Sequence, residues 1–386
     1  MRGEPEAFGF ATAGRIEFGA GKLAEAAPAA RALGRRTLVV TGRSAERTER
    51  LGEILAGAGV AMVRHVVAGE PKVADVEGGV ATARDGECDL IIGLGGGSAI
   101  DTAKAVAALL TNPGGPLKYL EVIGEGRPLE HPPAPMIAIP TTAGTGAEVT
   151  RNAVLASPEH QVKVSLRHPL MLPRLAIVDP ELTHDLPPAL TAATGLDALT
   201  QLIEPFTCAW ANPLTDALCR EAIPRAARSL RGAYETPTPA HREDMALASL
   251  HGGLALANAG LGAVHGFAAP IGGMFPAPHG AVCAALLPHV MATNHAALRA
   301  REPESKALSR YDEVAEMLCG NERAEAGVDW VRELVPTLKI PDLGTYGITE
   351  DDFPLLIKKA QCSSSMKANP IELSEEELDS ILRAAQ

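Results

Sequence analysis

Residues 88–105 read CDLIIGLGGGSAIDTAKA, and this stretch limits the fold more than any other. The apolar run Leu90, Ile91, Ile92 leads into three consecutive glycines, Gly95, Gly96 and Gly97, and alanine-rich helical sequence comes next. A strand, a tight turn and a helix N-terminus in succession form an anion seat. The N–H groups of the first helical turn have no acceptor within the helix, and the helix dipole favours negative charge beside them. Glycines at the turn let the backbone approach a ligand with no Cβ in the way. Ser98 and Asp101 stand at the spacing of a capping box. The expectation is a bound phosphate, and with it a nucleotide. The run is not G-x-G-x-x-G and lacks the Gly-Lys-Ser/Thr of a P-loop, which argues against an ATPase. A plain strand–helix turn fits the same residues, so the weight falls on the motifs that accompany them.

Strand and helix signals alternate through the first part of the chain. Residues 15–18, 37–41, 61–67, 91–94, 136–139 and 175–178 read as strands, and 47–57 reads as a helix among them. The alternation implies a largely parallel sheet covered on both faces. Beyond about residue 183 the strand signals fade. Asn212-Pro213 is a helix start, with Asn as cap and Pro in the first turn. Residues 245–257 form a small-residue apolar helix with Gly260 near its end, and Ser374 with Glu377 forms a capping box ahead of Leu378, Ile381 and Leu382. The reading is an α/β nucleotide-binding domain over 1–183 and an all-helical metal and substrate domain over 184–386. The boundary is expected near 183–188. A ligand is expected between the halves, at the carboxyl ends of the strands.

The bulk numbers exclude several classes. At 386 residues the chain is long enough for two sizeable cores, and 46% hydrophobic with 21% charged residues is a globular balance. A net charge of −12 gives no support to nucleic-acid or anionic-membrane binding. No apolar run reaches the ~18 residues of a membrane span. The opening MRGEPEAFGF lacks an apolar secretion segment. The six cysteines are dispersed and form no C-x-x-C pair, which reads as reduced thiols in a cytoplasm.

Two further constellations carry chemistry. Pro140 to Glu148 (PTTAGTGAE) places hydroxyls and glycines after a strand, suited to a ribose or a phosphate or to bonding its own backbone. In the helical half, Asp197 and Gln201 lie four apart on one helix face. His265 and His279 come later in the chain. A carboxylate with two imidazoles is a donor set for Fe²⁺ or Zn²⁺.

GGGSAIDTAKA, PTTAGTGAEVT, TGLDALTQLIEP, GLGAVHGF and PHGAV occur in this order, with Phe18-Gly19-Ala20-Gly21 near the start. Together they resemble the iron-containing (group III) alcohol dehydrogenase family over nearly the whole chain. The resemblance implies a dehydroquinate synthase-like architecture: a dinucleotide-binding α/β domain with a mostly parallel sheet, then an all-helical domain. It implies NAD(P)-dependent interconversion of an alcohol with an aldehyde or ketone by hydride transfer in the interdomain cleft, with a divalent metal as Lewis acid and Fe²⁺ or Zn²⁺ as candidates. A cytoplasmic homodimer is the family expectation.

Carried over residue by residue, the resemblance gives Gly95, Gly96, Gly97 and Ser98 to the pyrophosphate, with Asp101 supporting the turn. Thr141, Thr142 and Thr145 line the cofactor, and Lys163 stands near the nicotinamide ribose. Asp197, His265 and His279 match three of four metal ligands and carry the catalytic assignment. The fourth, usually a histidine, is Gln201, whose neutral amide binds Fe²⁺ or Zn²⁺ more weakly than an imidazole. A histidine that many members carry four residues after the match to His265 is Ala269 here, and His251 is a candidate substitute. Without that relay, the proton is expected to move through water or the ribose hydroxyls. NAD-preferring relatives often have Asp at the place of Gly42. Its absence removes repulsion of a 2′-phosphate, which Arg43 and Ser44 can bind, so the reading favours NADP(H). Arg151, Asn152 and Leu256 fall at positions facing the substrate, where an arginine can pair with a carboxylate or phosphonate. The alternatives are a metal-independent oxoacid reductase of the maleylacetate reductase type, a sugar-phosphate cyclase-type lyase, or a non-catalytic nucleotide sensor.

Overall fold

The computed structural model describes residues 7–386, so the opening segment read for secretion signals begins outside the described residues. The chain divides into two compact units, Thr12–Leu186 with Pro237–Ala246, and Met1–Ala11 with Pro187–Thr236 and Leu247–Gln386.

The first unit contains β1 (Ile16–Phe18), α1 (Ala26–Leu33), β2 (Arg36–Thr41), α2 (Ala45–Gly57), β3 (Ala61–Val66), α3 (Val73–Asp85), β4 (Leu90–Gly95), α4 (Gly97–Thr111), β5 (Met136–Pro140), β6 (Asn152–Ser157), β7 (Val162–Arg167) and β8 (Leu175–Val178). Six strands form one sheet in the order β1-β8-β5-β4-β2-β3, every neighbouring pair parallel. Successive side chains along a strand face opposite sides. Leu38, Val40, Ile91 and Ala138 therefore join α3 and α4 in one core, while Val39, Leu90, Ile92, Ile137 and Ile139 join α1 and α2 in the other. Burial on both faces explains why the strands read as unbroken apolar runs. Each such Leu, Ile or Val contributes roughly 1.5–3 kcal/mol.

From β2 the chain moves outward to β3, then returns to place β4 on the other side of β2. The strand order thus reverses between β2 and β4. In open α/β sheets, the crevice beyond the carboxyl ends at such a reversal is where ligands bind.

Two local expectations are corrected. Ser98 and Asp101 do not form a capping box. The helix begins two residues earlier, with Gly96 as cap and no side-chain cap bond, so Ser98 already lies inside α4. The sequence reading also has no strands between 140 and 175, where β6 and β7 form an antiparallel hairpin. Their alternation is visible in hindsight: Ala153, Leu155, Val164 and Leu166 are buried, and the residues between them are half-buried.

The second unit is helical. It holds α5 (Pro188–Thr207), α6 (Pro213–Glu235), most of α7 (Pro239–Asn258), α8 (Ala263–Met274), α9 (His279–Arg301), α10 (Lys306–Cys319), α11 (Ala324–Thr337), α12 (Phe353–Gln361) and α13 (Glu375–Ala384). The caps behave as their residue types dictate. Asn212 accepts from Leu214 and Thr215 N–H ahead of Pro213, and Ser374 and Glu377 bond reciprocally. α5 and α9 form the buried centre, and Gly280 lets them meet, because a Cβ there would collide with the Ala193 carbonyl. α9 has the length and mean hydropathy of a membrane span, but 72% of that window is buried in the protein, as befits a core helix.

Candidate functional site

The first unit presents a nucleotide-type seat at the reversal between β2 and β4. β4 ends at Gly95, Gly96 is extended, and the Gly96 carbonyl accepts from Ala99 and Ile100 N–H at 3.1 and 3.2 Å. Gly97 and Ser98 are the first two residues of α4, whose N–H groups an α-helix leaves without an internal acceptor. The glycines are also required by the protein's own packing. A Cβ on Gly95 would stand 2.7 Å from the Ala99 Cβ, and one on Gly97 2.9 Å from the Thr145 Cγ2. One on Gly96 would press on Thr142 at 3.3 Å. The glycine triplet and the threonine loop are thus neighbours, joined further by the Thr141 N–H to Gly95 carbonyl bond of 2.9 Å. Gly146 takes a left-handed φ of 56° to turn the second loop. At the end of β2, Gly42 has open space where a side chain would stand, and Arg43 is exposed. Ser44 caps α2 without using its side chain.

Asp101 and Lys104 anchor the segment after the threonine loop. Asp101 Oδ2 accepts from the Val154 N–H at 3.0 Å, and its Oδ1 lies 2.9 Å from Lys104 Nζ. The Lys104 side chain is fully buried and also donates to Thr150 Oγ1 at 2.9 Å and to the Asn152 carbonyl. Arg151 and Asn152 are therefore held by α4. The Arg151 side chain is exposed and has no ion pair among the described residues; Asn152 is half-buried. Lys163, on β7, is nearly buried and paired with Glu70 at 3.0 Å.

The second unit gathers the predicted metal donors. Asp197 and Gln201 stand on α5, His265 on α8 and His279 at the start of α9. His265 Nε2 lies 3.5 Å and His279 Nε2 3.7 Å from Asp197 Oδ1. Gln201 is buried one helical turn after Asp197 on α5. Asp197 Oδ1 and Gln201 Oε1 are both buried with no hydrogen-bond partner. Two acceptors left unpaired in the interior are costly unless a cation or donor meets them.

Two members of this group are absent from the sequence reading. Cys283 is fully buried, with Sγ 3.9 Å from His265 Nε2 and 3.7 Å from His279 Nε2. Its signal is its place four residues after His279, hence on the same helix face. Glu204 lies seven residues after Asp197 on the same face of α5. Its Oε2 is 2.6 Å from His265 Nδ1, and its Oε1 accepts from the Val264 N–H at 2.8 Å. That contact fixes which imidazole nitrogen faces the cluster, as carboxylates behind metal-bound histidines do.

The electrostatics result from this crowding. Burial opposes charge on His265, but Cys283, Glu204 and Asp197 outweigh it and hold the imidazole well above its ordinary range. His279 is raised in the same way against burial, by Cys283 and Asp197. Burial pushes Asp197 and Cys283 up, yet the two imidazoles bring both below their usual values. The pocket favours positive charge among acidic donors, a demand that a divalent ion meets. One donor atom each from Asp197, His265, His279 and Cys283 lies within 4.8 Å of the others. The residues fit a metal.

His251 faces Glu221 at 3.4 Å, and burial lowers its pKa despite that carboxylate. Ala269 and Leu256 are half-buried on α8 and α7.

A family model described as iron-containing alcohol dehydrogenase matches residues 13–180, and one for the C-terminal part of the Fe-containing alcohol dehydrogenase family matches 191–386. The chain is 35% identical over 378 residues to alcohol dehydrogenase 4 of Schizosaccharomyces pombe, covering 95% of this chain and 86% of the relative. A crystal structure of 1,3-propanediol oxidoreductase matches with a TM-score of 0.91 at 33% identity, over 99% of this chain and 100% of that one. Sulfoacetaldehyde reductase from Bifidobacterium kashiwanohense, in complex with NAD⁺, matches with a TM-score of 0.86 at 27% identity, over 98% of both chains.

Proposed function

The chain belongs to the iron-containing alcohol dehydrogenase family, and from that premise we propose which residues perform its reaction. It is an NAD(P)-dependent oxidoreductase that interconverts alcohols and aldehydes. Such a reaction needs a hydride carrier and a group that withdraws charge from oxygen. A nicotinamide supplies the hydride, and a divalent metal, as a Lewis acid, stabilises the alkoxide.

The backbone N–H groups of Gly96, Gly97 and Ser98 hold the pyrophosphate, with Gly95 ending the strand and Thr141, Thr142 and Thr145 alongside. Asp101 supports the seat through its bonds to Val154 and Lys104. Lys163 lies toward the nicotinamide ribose. Gly42 offers no carboxylate to a 2′-phosphate and Arg43 is free to meet one, which favours NADP(H) over NAD(H). Asp197, His265 and His279 hold the metal, with Gln201 beside them. Ala269 provides no relay, so protons reach the substrate oxygen through water or the ribose hydroxyls. Arg151, Asn152 and Leu256 face the substrate, and Arg151 suits an acidic group on it. A homodimer in the cytoplasm is the working assembly.

The observation that carries this reading is the buried, unpartnered Asp197 oxygen facing two imidazole nitrogens. The test is an assay of NADPH and NADH oxidation with short aldehydes. It compares native, chelator-stripped and metal-restored protein. Turnover should favour NADPH, fall on stripping and return with added metal. Full turnover in metal-free protein removes the Lewis-acid role and leaves the metal-independent alternative.

A further inference from the structure

We propose that Cys283 is itself a metal ligand, so that the centre is Asp197, His265, His279 and Cys283, a thiolate site suited to a zinc-class ion. This rests on the metal reading above and extends it to the fourth donor.

The geometry is the ground for it. A tetrahedral ion with Zn–N and Zn–O of about 2.0–2.1 Å and Zn–S of about 2.3 Å needs donor–donor separations of roughly 3.3–3.8 Å. Four of the six separations are 3.5 Å for His265–Asp197, 3.7 Å for His279–Asp197, 3.7 Å for Cys283–His279 and 3.9 Å for Cys283–His265, and all six lie within 4.8 Å. The four donors are thus gathered within the small inward adjustment that closing around one ion requires. Cys283 has no exposure, and its sulfur is turned to the same two Nε2 atoms that face Asp197. Helix spacing puts it on the face that carries His279, and Gly280 between them lets α9 lie against α5, which carries Asp197.

Charge and softness point the same way. A thiolate is an anionic, soft donor, whereas the Gln201 amide oxygen is neutral and hard, and thiolate ligands select zinc over ions that prefer oxygen. Cys283 Sγ stands within reach of both imidazole nitrogens that face Asp197, so it completes the donor set from the α9 side. On coordination the S–H bond breaks, a sulfur–metal bond forms from the same electron pair, and the proton leaves to solvent. With a carboxylate and a thiolate, the centre offers two negative charges to a dication.

The experiment uses the full chain stripped of metal and reloaded with Co²⁺ or Zn²⁺. Cobalt should bring a sulfur-to-cobalt charge-transfer band in the near ultraviolet, beside its visible bands. X-ray absorption of the zinc form should show one sulfur at about 2.3 Å with nitrogen and oxygen at about 2.0–2.2 Å. Cys283→Ser should keep the visible cobalt bands and lose the charge-transfer band. Cobalt or zinc bound with only nitrogen and oxygen neighbours overturns the sulfur ligand and leaves the metal reading standing. A band that survives in Cys283→Ser assigns the sulfur to another cysteine and also overturns it. Failure of the unmutated protein to bind either ion sinks both readings. The absorption measurement needs no variant, so it decides the question even if Cys283→Ser does not fold.

Discussion

Glu204 determines how His265 meets the cluster. Its Oε2 takes one ring nitrogen at 2.6 Å, which leaves Nε2 pointing at Asp197 and Cys283. Replacing it by Gln keeps the size and weakens the acceptor. Glu204→Gln should lower metal affinity about 10–100-fold, as losses behind a metal-bound histidine do. Chelator competition measures this, and an unchanged affinity would show that packing alone orients the ring. Residues of this kind are the hardest to see in a sequence. Asp197, His265 and His279 stand out because a metal-binding pattern names their types. Glu204 lies in the TGLDALTQLIEP segment, but no metal-binding pattern gives it a role, since its partner is 61 residues away and only the packing of α8 on α5 joins them. Cys283 is visible at i+4 from His279, but among six scattered thiols its place on that helix face does not stand out.

At the scale of elements, α4 and the short turn after Gly146 carry most of the tension in the first unit. Glu148 is buried in that turn, and desolvation raises its pKa to about 7, although its own backbone N–H and Lys104 both act to lower it. The folded state therefore prefers the protonated acid, while the unfolded chain ionises near 4.5. Between those values the folded form holds more protons, so stability falls as pH rises and the loss is complete above the folded pKa. Glu148→Gln removes that loss. It should be close to neutral at about pH 5 and more stable than the parent at about pH 8, by up to roughly 3 kcal/mol. Denaturant titration at the two pH values reads the difference, and a variant less stable at the higher pH would reverse the argument. Lys104 keeps Asp101 as its partner in either case. The strands of the parallel sheet were legible because burial on both faces makes them solid apolar runs. The β6–β7 hairpin was not, because half-buried alternation over six residues is faint beside a hydroxyl-rich loop. The start of α4 lies two residues ahead of the place that Ser98 and Asp101 at capping spacing suggest, because a glycine cap leaves no side-chain signal.

Taken as a whole, the molecule keeps the proposed nucleotide seat in the sheet unit and the four candidate metal donors in the helical one. An ion that binds only the folded helical unit stabilises it by mass action, about 2.7 kcal/mol at a hundredfold excess over its Kd. Calorimetry should show a higher Tm with metal than after chelation. The gain should shrink as acid protonates the donors, since each must be deprotonated to bind. A Tm indifferent to metal would place the ion outside the fold. The change from alternating to helical signals was legible along the chain, whereas the inclusion of Pro237–Ala246 with the sheet unit was not, because nothing local marks it. One further consequence lies in Glu204. Its Oε1 closes the buried start of α8 through the Val264 N–H, while its Oε2 aims the imidazole that α8 carries. Evolution cannot retune that histidine without fraying the helix beneath it. The room for a lineage to trade one ion for another lies instead across the α5–α9 seam, where this chain has an amide at 201 and a sulfur at 283.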